Sequence, residues 1–153
     1  MPDNSTLNRS YGWSSLVSRI VQAKRRRITA VNVSEPGPGI SSNCFVVRDM
    51  VFLSGMTARD LQGKATSIGD AYQQSVCLLN RMKALLEAAG GSMSDIVKLN
   101  CFLTDVRYRE DFVKARKEFF TGDYPPCTLI GGVLFTSPEL LIEVDAFAVL
   151  GSS

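Results

Sequence analysis

The chain has 153 residues, of which 45% are hydrophobic and 21% are charged, a balance typical of one globular domain with a single core. Its longest run of apolar residues and glycine, Leu129–Phe135, has about a third of the roughly 20 residues that a transmembrane helix needs, so we expect no membrane partner. The sequence contains no histidine. This excludes Ser-His-Asp and Cys-His nucleophiles, His-ligated metals and acid–base catalysis by histidine.

The four cysteines exclude a second class of site. They are Cys44, Cys77, Cys101 and Cys127, and no two of them form a C-x-x-C pair. This spacing argues against a zinc site or a thiol-exchange centre, so we expect no metal. Without a secretory hydrophobic segment, four such cysteines favour a reducing compartment, and we expect a cytoplasmic protein.

The net charge of +2 is unevenly distributed. Residues 1–34 carry six basic residues against one acidic residue, which gives +5 and leaves −3 for the rest. We interpret 1–34 as a basic N-terminal extension, with an amphipathic helix over Ser10–Ala23, and 35–153 as the domain. The cluster Lys24–Arg27 could contact nucleic acid, but it has no interleaved aromatic residues, and we favour a solvated edge.

The first half of the chain predicts three strands and a helix. Ile28–Val33 has the β-branched residues of a strand, and Cys44–Val47 and Met50–Ser54 form a predicted hairpin whose turn lacks the preferred glycine. Asp70 then caps a helix, with Gln73 completing a capping-box pattern. Apolar residues at a 3.6-residue period extend this helix to Ala89, where Gly90-Gly91 ends it.

The second half predicts a strand at Ile96–Leu103, a helix at Tyr108–Phe120, and strands at Cys127–Phe135 and Leu140–Val149. The order β, ββ, α, β, α, ββ lacks regular βα alternation. It favours a two-layer α+β fold, in which one mixed sheet carries both helices on one face.

The last predicted strand is apolar on both sides, with Glu143 and Asp145 as its only charges. Two helices can cover only one face of the sheet. We therefore expect a second subunit on the other face.

Several short motifs together resemble the RidA/YjgF family of enamine and imine deaminases over roughly residues 35–150. They are Val51-Phe52-Leu53-Ser54-Gly55, the helix end Leu85–Gly90, Ser94–Lys98, Phe102–Asp105, Phe119-Phe120, Tyr124-Pro125 and Ile142–Ala148. The resemblance implies a chorismate-mutase-like fold assembled as a homotrimer. It also implies three clefts between subunits that bind a small-molecule metabolite and require no cofactor.

The resemblance also assigns site residues. Glu143 matches the catalytic glutamate that positions the hydrolytic water, and Ser54 matches a serine that contacts the substrate. An arginine that binds the substrate carboxylate is expected after the Tyr-Pro step. Cys127 stands there instead and is followed by Thr128, so Ser54, Cys127 and Thr128 are the expected substrate-binding residues.

Three departures from the family pattern bear on activity. Besides Cys127, the family's N-terminal tyrosine falls near Ser41 and its second-helix asparagine near Val113. A thiol cannot replace the bidentate charged clamp of a guanidinium. Without a histidine to deprotonate it, we interpret Cys127 as a neutral wall of the pocket rather than a nucleophile.

The sequence therefore favours a trimeric hydrolytic deaminase of a small imine or enamine metabolite, with weak activity on standard 2-imino acids. The first alternative is a non-catalytic metabolite-binding or regulatory protein that keeps the trimer and the cleft. The second, ranked below both, is a nucleic-acid or translation-related role through Lys24–Arg27.

Overall fold

The computed structural model describes residues 24–153, so the helix expected over Ser10–Ala23 lies outside the described residues. The strands are β1 (Arg26–Ile28), β2 (Cys44–Val47), β3 (Met50–Met56), β4 (Ile96–Leu103), β5 (Cys127–Gly131) and β6 (Ile142–Val149), and the helices are α1 (Ala71–Ala89) and α2 (Arg109–Arg116). This order confirms the predicted sequence of elements. The predicted extension at 1–34 stays a prediction, although β1 lies within it.

The six strands form one mixed sheet in the order β1-β2-β3-β6-β4-β5. All neighbours are antiparallel except β4 and β5, which run parallel because α2 connects them. The last strand, β6, lies between β3 and β4 at the centre of the sheet. The predicted α+β fold with a mixed sheet is confirmed.

One hydrophobic core fills the space between the helices and one face of the sheet. Every second residue of β6, from Ile142 to Ala148, points into this core, where it joins Leu79 of α1 and Phe112 of α2. Both helices therefore cover the same face. Asp70 caps α1 by accepting from the Gln73 backbone, while its own N–H donates to Ser67, so the capping box is only half formed.

Four predicted elements, including the last strand, extend beyond the observed ones. The strand expected at Ile28–Val33 is wrong after Ile28, because the Val33 N–H donates to the Ala30 carbonyl and closes a turn. The strand expected to reach Phe135 ends at Gly131, before Gly132 bends the chain with φ = 80°. The helix expected at Tyr108–Phe120 begins with a 3-10 turn and is α-helical only over Arg109–Arg116.

The hairpin between β2 and β3 forms without a glycine. Arg48 adopts the left-handed conformation, with φ = 56°, that glycine would provide in a two-residue turn. The strand expected from Leu140 begins at Ile142, because the Leu140 N–H closes a turn onto Ser137.

The face of the sheet opposite the helices carries an aromatic row. Phe45, Phe52 and Phe147 are aligned across β2, β3 and β6, and the Phe52 and Phe147 rings meet edge to face at 5.6 Å. Phe147 is 40% exposed. Within residues 24–153, no helix is both long and apolar enough to cross a membrane.

Candidate functional site

Glu143 lies at the start of β6 on the open face of the sheet. Its neighbours Ile142 and Val144 are buried in the core, so strand alternation turns the Glu143 side chain to the opposite face. The chain leading into β6 is fixed by Gln74 of α1, whose buried side-chain amide accepts from the Leu141 N–H at 2.8 Å and donates to the Glu139 carbonyl at 2.7 Å. Gln74 thereby anchors the strand two residues before Glu143.

Gly55 lets the Glu143 carboxylate lie directly against the end of β3. A Cβ built on Gly55 would overlap the Glu143 carboxylate, so only glycine permits this approach without displacing the glutamate. The pairing of β3 with β6 is irregular between Leu53 and Met56, and Ser54 and Gly55 occupy that irregularity. The structure thus brings the two predicted site residues Ser54 and Glu143 to the same place.

The surroundings of Glu143 favour its protonated form. Burial raises the pKa of the Glu143 carboxyl, the nearby charge of Asp145 raises it further, and the Arg59 guanidinium opposes both effects. Asp145 itself accepts a hydrogen bond from the Asn100 side chain at 2.7 Å. A carboxylate with a raised pKa is a stronger base toward water than an ordinary glutamate.

A cleft of about 400 Å³ opens beside Ser54 and Gly55. Its other walls come from the segment between β1 and β2, including Ser34 and Ser41, and from the loop after β3. That loop contributes Thr57 and Arg59. Ser41, the position expected to match the family tyrosine, therefore does line the cleft.

Cys127 and Thr128 lie elsewhere in the chain. Cys127 pairs with Leu99 at the start of β5, whereas Glu143 pairs with Phe102. Cys127 and Glu143 are thus offset by three residues along the strand direction, and β4 lies between their two strands. Each of these offsets is about 10 Å. Within one chain the structure does not bring Cys127 or Thr128 to Glu143, and their role as substrate-binding residues stays a prediction.

The two residues of β5 also point to different faces. Cys127 packs against the core side, while the exposed Thr128 accepts a hydrogen bond from Lys98 on the open face, at 2.6 Å. Burial raises the pKa of the Cys127 thiol, although Arg116 and Lys98 oppose the effect. A raised pKa keeps Cys127 a neutral thiol at pH 7, as the sequence interpretation requires. Among residues 24–153, no group of three or more Cys, Asp or Glu side chains is placed to hold a metal ion.

Sequence reasoning missed Arg59 and Arg81, which both line the cleft. Arg59 follows β3 by three residues in a polar segment without periodicity. Arg81 lies within the regular pattern of α1, yet it is only 8% exposed. A basic residue on the apolar stripe of a helix was the one available signal.

We expect Gly55→Ala to reduce activity without unfolding the protein. The added methyl would displace the Glu143 carboxylate, which is the flexible end of a side chain, and a shift of about 1 Å in a catalytic group can cost roughly 100-fold in rate. The measurement is kcat/KM for the imine hydrolysis that the sequence resemblance implies, together with a thermal melt. In a Glu143→Gln background the same substitution should have little further effect on rate. An equal loss of rate in that background would show that Gly55 does not act through Glu143.

Comparison with known proteins gives a family match over most of the chain. A family model described as Endoribonuclease L-PSP matches residues 39–150. The structure of PA3499 from Pseudomonas aeruginosa is 36% identical, covers 85% of this chain and 95% of its own, and superposes with a TM-score of 0.76.

Two further structures have the same fold. A protein from Rhodopseudomonas palustris named a probable translation initiation inhibitor is 29% identical, covers 84% of this chain and 100% of its own, and has a TM-score of 0.74. Rv2704 from Mycobacterium tuberculosis, a member of the YjgF/YER057c/UK114 family, is 20% identical, with 83% and 100% coverage and a TM-score of 0.68. At that identity, the second similarity concerns the fold alone.

Proposed function

This chain belongs to the family whose model matches residues 39–150, which is the RidA/YjgF family that its motifs resemble, and from that premise we propose that it hydrolyses small imines or enamines in clefts between the subunits of a homotrimer. The observation that carries the proposal is the Glu143 carboxylate, which lies against Gly55 beside an open cleft. Its partial burial and its acidic neighbour Asp145 prepare it to take a proton from water.

The proposed reaction needs only groups of this chain and water. The Glu143 carboxylate takes a proton from a water molecule as the water oxygen forms a bond to the C=N carbon, and it returns this proton to nitrogen to give a carbinolamine. The carboxylate then moves the hydroxyl proton of the carbinolamine to nitrogen as the C–N bond breaks, so that ammonia leaves and a carbonyl remains. Ser54, at the same end of β3, is proposed to contact the substrate.

The homotrimer is proposed from the open face of the sheet. The aromatic row Phe45, Phe52 and Phe147 is an apolar surface that the helices of its own subunit do not cover. Cys127 and Thr128 are proposed to contact the ligand of a neighbouring subunit across this interface. The cytoplasmic location stays a prediction from the cysteines.

Turnover is tested by the initial rate of ammonia release from a panel of freshly generated imines. Imines also hydrolyse in buffer, so the rate, not the final amount, is the informative quantity. Acceleration by the wild-type protein supports the proposal. Saturable binding of the same compounds or their carbonyl products without acceleration would favour the non-catalytic alternative.

We expect Cys127→Arg to increase hydrolysis of small 2-imino acids, such as those formed from alanine or leucine. The wild-type protein has a neutral thiol where the family arginine would pair with the substrate carboxylate. Ammonia release from imines made in place by an amino acid oxidase measures both proteins. The expected gain is modest, about 10-fold, because Ser41 and Val113 also depart from the family pattern.

Cys127→Gln, which adds size and polarity without a charge, is the matched control and should give no gain. Robust wild-type activity on these imines would show that another residue pairs with the carboxylate. It would contradict the role given to position 127.

A nucleic-acid role is the remaining alternative, consistent with the names of the family model and of the Rhodopseudomonas palustris protein. Two of the four cations in Lys24–Arg27 are already engaged. Arg27 donates to Glu35 at 2.7 Å, and the Arg25 guanidinium stacks 4.9 Å from the Phe45 ring centroid. RNA binding that weakens with salt would support this alternative.

A further inference from the structure

Two arginines of the cleft have no part in the reaction described above. Arg59 and Arg81 both line the cleft, and Arg59 is near enough to Glu143 to oppose the rise in its pKa. Arg59 also lowers the pKa of Arg81, after the larger effect of burial. The cleft thus contains two neighbouring cations, one of them adjacent to the catalytic glutamate.

The side chain of Arg59 is held in place by its surroundings. Its Nε donates to Thr57 Oγ1 at 3.1 Å and its Nη1 to the Gly63 carbonyl at 2.7 Å, and neither bond uses Nη2. The Asp60 carboxylate accepts from the backbone of Gln62 and Lys64, both at 2.9 Å, which fixes the turn that carries Gly63. A guanidinium fixed before the ligand arrives loses little entropy on binding.

Arg81 holds Thr57, the residue that accepts from Arg59, in place. Its Nη1 donates to the Thr57 carbonyl at 2.7 Å and its Nη2 to the Ser34 carbonyl and hydroxyl at 3.3 and 3.2 Å, so it connects the two loops that form the cleft. Its Nε is buried without a hydrogen-bond partner in the described part of the chain. Arg81 is a positioning residue, because it acts on Arg59 through Thr57.

Within residues 24–153, the carboxylates of Glu35, Glu139 and Glu143 act on these two arginines without forming a direct ion pair with either. Glu35, which also lines the cleft, is already bound by Arg27 at 2.7 Å and by the Asn43 amide at 2.9 Å. Two partly desolvated like charges destabilise each other unless an anion offsets them.

We propose that Arg59 is the residue that binds an oxyanion group of the ligand, a carboxylate or a phosphate, in a subsite next to Glu143 that Arg81 and Thr57 hold in shape. This subsite is separate from position 127, which lies on the helix-facing side of β5. The inference rests on the proposed function only in taking this cleft as the ligand site. It predicts ligands whose negative charge lies on the Gly55 side of Glu143.

Binding of three fluorinated probes to the full-length protein tests the subsite without using turnover. Trifluoroacetate and monofluorophosphate represent the two oxyanions, and trifluoroacetamide is the neutral match of the first. Fluorine NMR titrations give the Kd of each. We expect at least one anion to bind the wild-type protein 10-fold or more tightly than the amide, and the tighter anion identifies the ligand class.

Arg59→Gln should weaken binding of that anion at least 10-fold and leave the amide unchanged, while Arg59→Lys keeps part of the affinity. Thr57→Val removes only the oxygen that accepts from Arg59 Nε and keeps the charge of Arg59, so it should weaken anion binding about threefold. Arg109→Gln, at an exposed arginine of α2, is the matched control and should change nothing.

The subsite would be overturned if Arg59→Gln and Thr57→Val both bound the anion with a Kd within twofold of the wild-type value. It would also be overturned if the wild-type protein bound neither anion more tightly than the amide. Glu143→Gln should keep or strengthen anion binding, because it removes a neighbouring negative charge. A protein that binds the anion through Arg59 but does not accelerate imine hydrolysis would contradict the proposed function and leave the subsite in place.

Discussion

Phe147→Lys is expected to convert the trimer into monomers and to reduce imine hydrolysis more than 10-fold. Phe147 lies in the aromatic row, against Phe52, and its cross-strand neighbour on β4 is Lys98. A second lysine at this place would bring a like charge beside Lys98 and a desolvation cost into an apolar interface. Activity should be lost together with the trimer, because a cleft between subunits is incomplete in a monomer.

Light scattering at micromolar concentration measures the result as a mass of three chains for the wild type and one chain for the variant. Val31→Lys, at a fully exposed position in the turn after β1, is the matched control and should stay trimeric and active. A wild-type protein with the mass of one chain would contradict the proposed assembly. A monomeric variant with full activity would contradict a site shared between subunits.

Glu143→Gln is expected to lower kcat/KM by about 100-fold to 10,000-fold, because the acceptor for the proton of water is lost while the shape of the side chain is kept. The same substitution should leave thermal stability at pH 7 equal or higher. The pKa of Glu143 is raised in the folded protein, so its ionised form is disfavoured there. Stability that depends on this group is present at low pH and is lost as pH rises through the folded pKa.

The raised pKa also fixes the pH dependence of the wild type. Activity requires the carboxylate form, so the acidic limb of kcat/KM should lie above the ordinary glutamate value of 4.5. Asp145→Asn removes a neighbouring negative charge and should move that limb to lower pH. A limb at the same pH in the Asp145 variant would show that Glu143 is not the group being titrated.

The fold was predictable because its signals are local. The stripe of α1 and the alternation of β4 mark elements whose observed bounds agree with the sequence, from Asp70 to Gly90 and from Ile96 to Leu103. Two of the errors lie where an apolar run continues past the end of a strand. Val31 and Leu134 are apolar residues that extend such runs, but a turn and a bend leave them fully or almost fully exposed.

The site was only partly predictable, since its geometry depends on contacts between distant segments. The motif around Ser54 and the last strand indicated Glu143, whereas nothing in either indicated that Gly55 must lack a side chain to admit the glutamate. Arg59 and Arg81 meet through Thr57 only after α1 packs beside the loop that follows β3. No periodic pattern in the sequence indicates that these residues meet.

The central claim, that Glu143 catalyses hydrolysis of a C=N bond, is tested most directly by initial rates of ammonia release. Wild-type and Glu143→Gln trimers are compared at equal concentration on one imine that the wild type accepts, with the buffer rate subtracted. We predict acceleration by the wild type and a rate close to that of buffer for the variant. Equal rates for the two folded trimers would contradict the role of Glu143.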